Sequence, residues 1–438
     1  MADEQAEALM EAGAPFGEDV EDEDVAFMND EEGEVVADLD GQEDDEDDDD
    51  DDDDDEEEEA GEGGANGGDG GEEGPSSSAV PTRDDSVVQF RQHARGGSDA
   101  SVYAVAWHPN RAGVVATGGG DDMAYLWDAS FPGAQRNLGA HSDSVSSVAF
   151  SQDGTLLATA GLDGKVALWD ATAGGTGALP PVRVLEGPGG GVEWVAWHPR
   201  GQVVLAGAED FTCWMWNAAD GSCMQVFSGH SGAVTCGGFP PDGRTVVTAG
   251  ADACLRVWHP RSGECTAVVS GHGFHSGPVV SLAFHPSSPI AITGGEDSGA
   301  HLTSLSTGRV VSSLAGHTDT VECVGFSPAH AYAATAGHDG ALFVWDAATG
   351  QERAKGSHEA GVLGLAWHPT APVVVTGGMD GSVKVWDARA ATCQRTLLGH
   401  SQAIQNLHIS PPGDLLLTGS DDCSARVWQL DAIVQAIR

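Results

Sequence analysis

One spacing governs most of the chain. Aligning "DGALFVWDAATG" (339–350) against the rest places Trp127, Trp169, Trp216, Trp258, Thr303, Trp345, Trp386 and Trp428 in a single slot, with separations of 42, 47, 42, 45, 42, 41 and 42 residues. A repeat of this length is one supersecondary unit that cannot bury its apolar face alone, so successive units must stack on one another. The sixth unit shows the anatomy. "GHTDTVECVGFSP" gives a turn and an alternating run, "AYAATAGHDG" a second run and a tight turn, "ALFVWDAATG" a third run, and "QERAKG" an outer one. Short period-2 apolar runs bounded by Gly, Asp and Pro read as strands. Eight slots therefore predict eight four-stranded units.

Trp-Asp at the end of the third run, Gly-His upstream and a period near 42 resemble the WD40 repeat, whose unit is a propeller blade. The resemblance implies an all-β fold, an eight-bladed WD40 β-propeller over residues 86–438. A ring of sheets must close, since an open edge leaves backbone groups unpaired. The last repeat stops soon after its third strand, at "VWQL", while "SVVQFRQH" (86–93) stands before the first repeat without a sheet of its own. Residues 86–91 are expected to supply the missing outer strand of blade eight.

Within a unit, His precedes Thr by 18 residues, Asp follows Thr by 4, and Trp follows Asp by 6. Five blades obey this: His141/Thr159/Asp163/Trp169, His230/Thr248/Asp252/Trp258, His317/Thr335/Asp339/Trp345, His358/Thr376/Asp380/Trp386 and His400/Thr418/Asp422/Trp428. A His, a hydroxyl and an Asp could serve nucleophilic catalysis. A catalytic site occurs once, however, and five copies at fixed spacing indicate a structural network, so no enzymatic activity is expected. The resemblance implies a buried hydrogen-bond chain from Trp to Asp. Three blades depart from the pattern. Blade three has Pro188 and Ala206 in place of His and Thr, keeping Asp210 and Trp216, and blade five has Thr303 in place of Trp beside His275, Thr293 and Asp297. Blade one keeps Thr117, Asp121 and Trp127, but the insertion "ARGGSDA" displaces its candidate histidine, His93. These three blades are expected to be locally weaker. His272 and His275 read as a three-residue insertion beside a tetrad histidine rather than as half a metal site, and no cofactor or metal is expected.

Ahead of the repeats lies a different polymer. Residues 1–85 carry 39 Asp and Glu against one base, Arg83, including seventeen consecutive carboxylates from Glu43 to Glu59. Such a segment, followed by "GEGGANGGDGGEEGPSSS", buries too little apolar surface to offset chain entropy and is expected to be a disordered acidic tail and linker. The net charge of -50 argues against direct binding of nucleic acid or anionic membranes and favours polycationic partners. The N-terminus has neither a basic nor an apolar leader region, and no window reaches the length of a membrane span. The expectation is a soluble monomer of the cytoplasm, with the nucleus as a second location. Eight cysteines fall inside strand-like runs, never as C-x-x-C, and read as reduced packing residues.

Propellers bind through their loops. By resemblance to WD40 complexes, each blade presents three side chains on its top face: the third and fifth residues after the His slot and the one before the turn Asp. These positions include Glu193, Glu209, Glu296, Glu322 and Asp421, apolar Tyr103, Leu162, Leu363 and Met379, and no Lys or Arg. The acids are candidates for pairing with basic client residues, and Tyr103, Leu363 and Met379 for apolar contacts. Finally, "DDSVVQFRQH", "VEWVAWHPRGQVVLAGAEDFTCWMWNAADGSC" and "VKVWDARAATCQRTLLGH", behind an acidic extension, resemble the angio-associated migratory cell protein family. Its fungal members chaperone a basic large-subunit ribosomal protein, which implies a cytosolic assembly factor with such a client. A different class is a ubiquitin-ligase substrate receptor, because Trp386-Asp387-Ala388-Arg389 fits the WD-x-Arg pattern by which some propellers dock on a cullin-RING adaptor. A generic signalling scaffold is the third reading.

Overall fold

The computed structural model describes residues 83–93 and 100–437. The expected disordered tail therefore lies outside the described residues except at 83–85. The rest folds as an eight-bladed β-propeller, seven four-stranded antiparallel sheets and one with a fifth strand. Innermost strands of consecutive blades touch in order around the ring, and that of blade eight (Ile404–Ile409) returns to that of blade one (Val102–Trp107).

Each blade is built for burial on both faces. Second strands such as Val114–Gly119 and Val373–Gly378 are buried at every residue, and outer strands such as Glu352–Ser357 face solvent. The apolar core is accordingly a set of wedges between blades rather than one central mass. One wedge joins Ala334, Leu342 and Val344 of blade six to Val362, Val374 and Trp386 of blade seven. Between the third and fourth strands the register slips by one residue at the Trp slot in blades three to seven. A bulge there re-aims the side chain, in blades four, six and seven toward the threonine of the neighbouring strand.

The ring closes through the N-terminal strand. Val88–Phe90 runs antiparallel to Ala425–Gln429, pairing Val88 with Val427 and Phe90 with Ala425. Ordered contacts start ahead of residue 86. Asp85 N–H donates to Leu398 O at 2.7 Å, and its carboxylate accepts from Leu398 N–H at 3.1 Å. The buried Arg426 guanidinium is held by Asp84 and donates to Ser86 Oγ at 3.1 Å. The tail expected to end at 85 thus has its last residues docked on the last blade, because they satisfy a buried cation.

Three further features were not evident from the repeat pattern. The 47-residue gap before blade three carries the short strand Gly177–Ala178, which pairs in parallel with Phe131–Leu138 and covers the open edge of blade one. A C-terminal helix, Asp431–Ile437, buries Val434 and Ile437 in the cluster that holds Ala371 and Leu397. Indoles also clasp neighbouring blades: Trp107 Nε1 donates to His408 O across the ring closure at 2.8 Å, and Trp194 Nε1 to Val234 O at 2.9 Å.

Candidate protein-binding face

The loops that bring the chain into each blade are pinned by the repeated His, Thr, Asp and Trp. In blade six Trp345 Nε1 donates to Thr335 Oγ1 at 2.9 Å, the threonine hydroxyl meets His317 Nε2 at 2.8 Å, and His317 Nδ1 meets Asp339 at 3.0 Å. Asp339 also accepts from the N–H groups of Thr318 and Ala341. The only arrangement that uses every donor is Trp to Thr to His to Asp, which fixes the histidine as neutral with its proton on Nδ1. Those backbone and His donors hold the Asp339 carboxyl below its usual range even though burial alone would raise it, and burial lowers His317. Blades two, four and eight repeat the chain through Trp169–Thr159–His141–Asp163, Trp258–Thr248–His230–Asp252 and Trp428–Thr418–His400–Asp422. These hydroxyls are all buried and committed, so each group works as a fastener of the top loop.

The other blades differ from the spacing rule in instructive ways. Blade one does have its histidine: His93 Nδ1 lies 2.7 Å from Asp121 and Nε2 3.1 Å from Thr117. Its separations of 28 and 24 residues exceed those of blade two, 22 and 18, by the length of one six-residue insertion. The expected displacement of His93 is therefore wrong: despite the added length of chain its imidazole sits within hydrogen-bond reach of both Asp121 and Thr117. What blade one lacks is the indole contact: Trp127 Nε1 is buried without a partner, and its ring stacks on Phe90 at 4.5 Å. Blade seven matches the spacing but breaks the chain. Thr376 joins Trp386 at 2.7 Å and His358 at 2.6 Å, yet His358 Nδ1 is orphaned and Asp380 accepts from Ser382 instead.

In blade three the backbone N–H of Gly189 takes the place of the absent histidine on Asp210, at 2.6 Å. A substitute chain runs from Trp214 Nε1 to Thr212 Oγ1 at 2.8 Å and on to Asp210 at 2.5 Å. In blade five His275 reaches Asp297 and Thr293, both at 2.9 Å, so both its ring nitrogens are occupied within the blade. Phe274 and His301 lie tilted to each other at 5.3 Å and both meet the His275 ring edge to face, and the buried Thr303 Oγ1 has no partner.

On the top face the candidate acids form two electrostatic pairs. Burial first, and the nearby Glu209 second, raise the Glu193 carboxyl. Burial likewise raises Glu322, with Glu296 adding to the effect and His338, 3.5 Å away, opposing it. Glu209 accepts from Gly191 N–H at 3.1 Å and is exposed, as is Glu296. Among the described residues no Lys or Arg forms an ion pair with any of the four glutamates. Asp421 is held apart by a 2.8 Å bond from Gln405 Nε2. Of the apolar candidates, Met379 is 48% and Tyr103 39% exposed, and Leu363 is half-buried. The opposite mouth is of another character, with a pocket of about 560 Å³ walled by Phe284, Phe326, Trp367 and several prolines.

Eight segments match the model of the WD domain, G-beta repeat: residues 85–128, 134–170, 179–217, 221–259, 263–302, 308–346, 352–387 and 391–429. Angio-associated migratory cell protein from Homo sapiens is 33% identical over 348 residues, which is 76% of this chain and 77% of that protein. The chain belongs to the WD40-repeat family of angio-associated migratory cell protein. Within wider reach, Ribosome assembly protein SQT1 from Saccharomyces cerevisiae is 32% identical over 157 residues, 34% of either chain. A crystal structure of Chaetomium thermophilum Sqt1 bound to the N-terminus of the ribosomal protein L10 aligns over 79% of this chain and all of that one, with TM-score 0.71 and 22% identity. That likeness is one of fold. Family membership accounts for the repeats and gives the chain a protein-binding propeller fold.

Proposed function

We propose that this propeller chaperones a basic ribosomal protein for large-subunit assembly, holding an Arg- and Lys-rich segment across its top face. The observation that carries this reading is the unmet negative charge: Glu193 beside Glu209 and Glu322 beside Glu296, with Glu193 and Glu322 raised by burial first and by the neighbouring carboxylate in addition, and with no Lys or Arg among the charges that shift either one. An incoming cation relieves that repulsion, so part of its binding energy is stored in the free protein. The resemblance to Sqt1, solved with a ribosomal protein segment, supports the choice of client class. The ligase-adaptor reading gains nothing from the geometry. Arg389 is bound bidentately by Asp387 and donates to Ile437 O at 2.6 Å, so docking through it would first have to break three contacts.

Binding of a lysine- and arginine-rich peptide to the purified chain, followed by fluorescence anisotropy, tests the proposal. Charge reversal at Glu209, Glu296 and Glu322 together should weaken it about tenfold or more at low salt, and less as salt is added. Unchanged affinity would remove the top face from the account.

A further inference from the structure

Blade three carries a second anomaly, at the residue after its turn aspartate. In every blade where that position is described as turning left-handed, the backbone has positive φ: glycine supplies it in blades two, six and seven, as Gly164, Gly340 and Gly381, and Asp122, Ala253, Ser298 and Cys423 in blades one, four, five and eight. In blade three the residue is Phe211, with φ +70°. A bulky aromatic is among the least favoured residues for that conformation. The neighbourhood is also tight in the equivalent blades. A Cβ on Gly164 would meet Gly190 O at 3.2 Å, and one on Gly381 would meet His400 O at 2.7 Å. Core packing does not explain the choice, because Phe211 is 47% exposed.

A strained, exposed aromatic that the fold does not need is the pattern expected where a side chain is retained for binding. The same turn carries Glu209, two residues earlier, and Leu162, 37% exposed on blade two, lies beside the loop at Gly191. Beyond it, blade four offers only Ala233, Thr235 and Ala251 at the three top positions, a low saddle leading to Glu296. We propose that Phe211 is the aromatic anchor of the client site, its ring receiving an arginine side chain of the bound segment while Glu209 takes the guanidinium's charge. This rests on the reading of the top face above and deepens it. Guanidinium groups are planar and weakly hydrated, so they stack on aromatic faces while bonding a carboxylate at their edge. The one-before-turn rule used on the sequence passes over Phe211 because it samples the other side of the turn aspartate. The signal that would have found it is a non-glycine aromatic where the turn demands positive φ.

The test pairs affinity with stability. The probe is a decapeptide of alternating arginine and glycine, titrated into the full chain, wild type and the variants Phe211→Gly and Phe211→Trp. Phe211→Gly should bind about two- to fivefold more weakly, the loss of one exposed cation–π contact, while its melting temperature stays the same or rises because glycine adopts the turn without strain. Phe211→Trp should keep wild-type affinity or exceed it. Equal affinity of wild type and Phe211→Gly overturns the anchor, and so does a lower melting temperature with affinity kept, which would mark Phe211 as a packing residue. If the wild-type chain fails to bind the decapeptide, the top-face reading itself falls, an outcome distinct from the loss of the anchor alone.

Discussion

The same substitution, threonine to valine, should have opposite effects in adjacent blades. Thr335 is fully buried, and its hydroxyl is the hub of blade six, accepting from Trp345 Nε1 at 2.9 Å and meeting His317 Nε2 at 2.8 Å. Valine keeps the volume and the branched shape, so no cavity opens and strand preference is unchanged. What remains is an indole N–H and an imidazole nitrogen, both buried and both unpaired, at about 1–3 kcal/mol each. Thr335→Val should therefore cost about 2–5 kcal/mol. Thr303 of blade five is equally buried, but its hydroxyl already lacks a partner. Replacing it with valine removes a desolvated polar group and should stabilise by about 1 kcal/mol. At this chain size a change of 1 kcal/mol moves the melting temperature by roughly 2 °C, so the two variants should separate by roughly 6–12 °C. Thermal and urea unfolding followed by tryptophan fluorescence would measure both. If Thr303→Val destabilises as much as Thr335→Val, or Thr335→Val costs less than about 1 kcal/mol, the hydrogen-bond chain is not what holds the blades.

Four further outcomes are expected. Asp84→Asn removes the carboxylate from the buried Arg426 and should cost about 2–3 kcal/mol in the same assay, a large effect for a residue outside the repeats. His301 and His358 are both lowered to about 4, by burial first, with His275 and Lys384 adding to the effect. Because their folded-state values lie below the unfolded one of about 6.5, the unfolded chain binds more protons between those limits. Stability should thus be complete above about pH 6.5 and fall as pH drops toward 4, read as a falling melting temperature. Lys384→Met should lessen that acid loss by returning the His358 value part-way toward normal. Affinity for a basic peptide should rise with pH through the elevated Glu193 and Glu322 ionisations, since the cation binds the charged form, and a pH-independent affinity would exclude these two carboxyls.

How much was legible in the sequence depended on whether an interaction repeats. The blade count and the network residues of blades two, four, six and eight follow from one period, because each copy corroborates the others. His93 was misassigned for the same reason: a fixed-spacing rule cannot allow for a separation six residues longer than in blade two, whereas the network needs only that the imidazole reach Asp121 and Thr117. Contacts made once are invisible to such a rule. The Arg426–Asp84 clasp spans 342 residues of chain, and Arg389 reaches the C-terminal helix over 48. Nor does spacing report geometry, as blade seven shows by matching the pattern while leaving His358 Nδ1 unpaired. The top-face acids could be named from position, but their pairing into Glu193 with Glu209 and Glu296 with Glu322 needed the three-dimensional arrangement.

That arrangement has an order of its own. The four complete networks occupy blades two, four, six and eight, and each of the odd blades has a broken one: the indole contact is missing in one, both His and Thr in three, Trp in five and the His–Asp bond in seven. No two incomplete blades are neighbours. A blade packs only against the two beside it, so in this alternation every sheet with an incomplete network is held on both sides by a fully bonded one. The constraint on an odd blade's own loop is correspondingly relaxed. Blade three shows what the relaxation permits: without histidine, its entry loop can be "GPGGG", whose Gly191 N–H holds the exposed Glu209 while Phe211 stays 47% exposed. If this is the reason for the alternation, restoring the pattern in blade three by Pro188→His with Ala206→Thr should leave stability level or raise it. It should also weaken peptide binding, because the rebuilt loop would compete for Asp210 and cover the turn. A double variant that kept full affinity would show the missing histidine to be unrelated to binding.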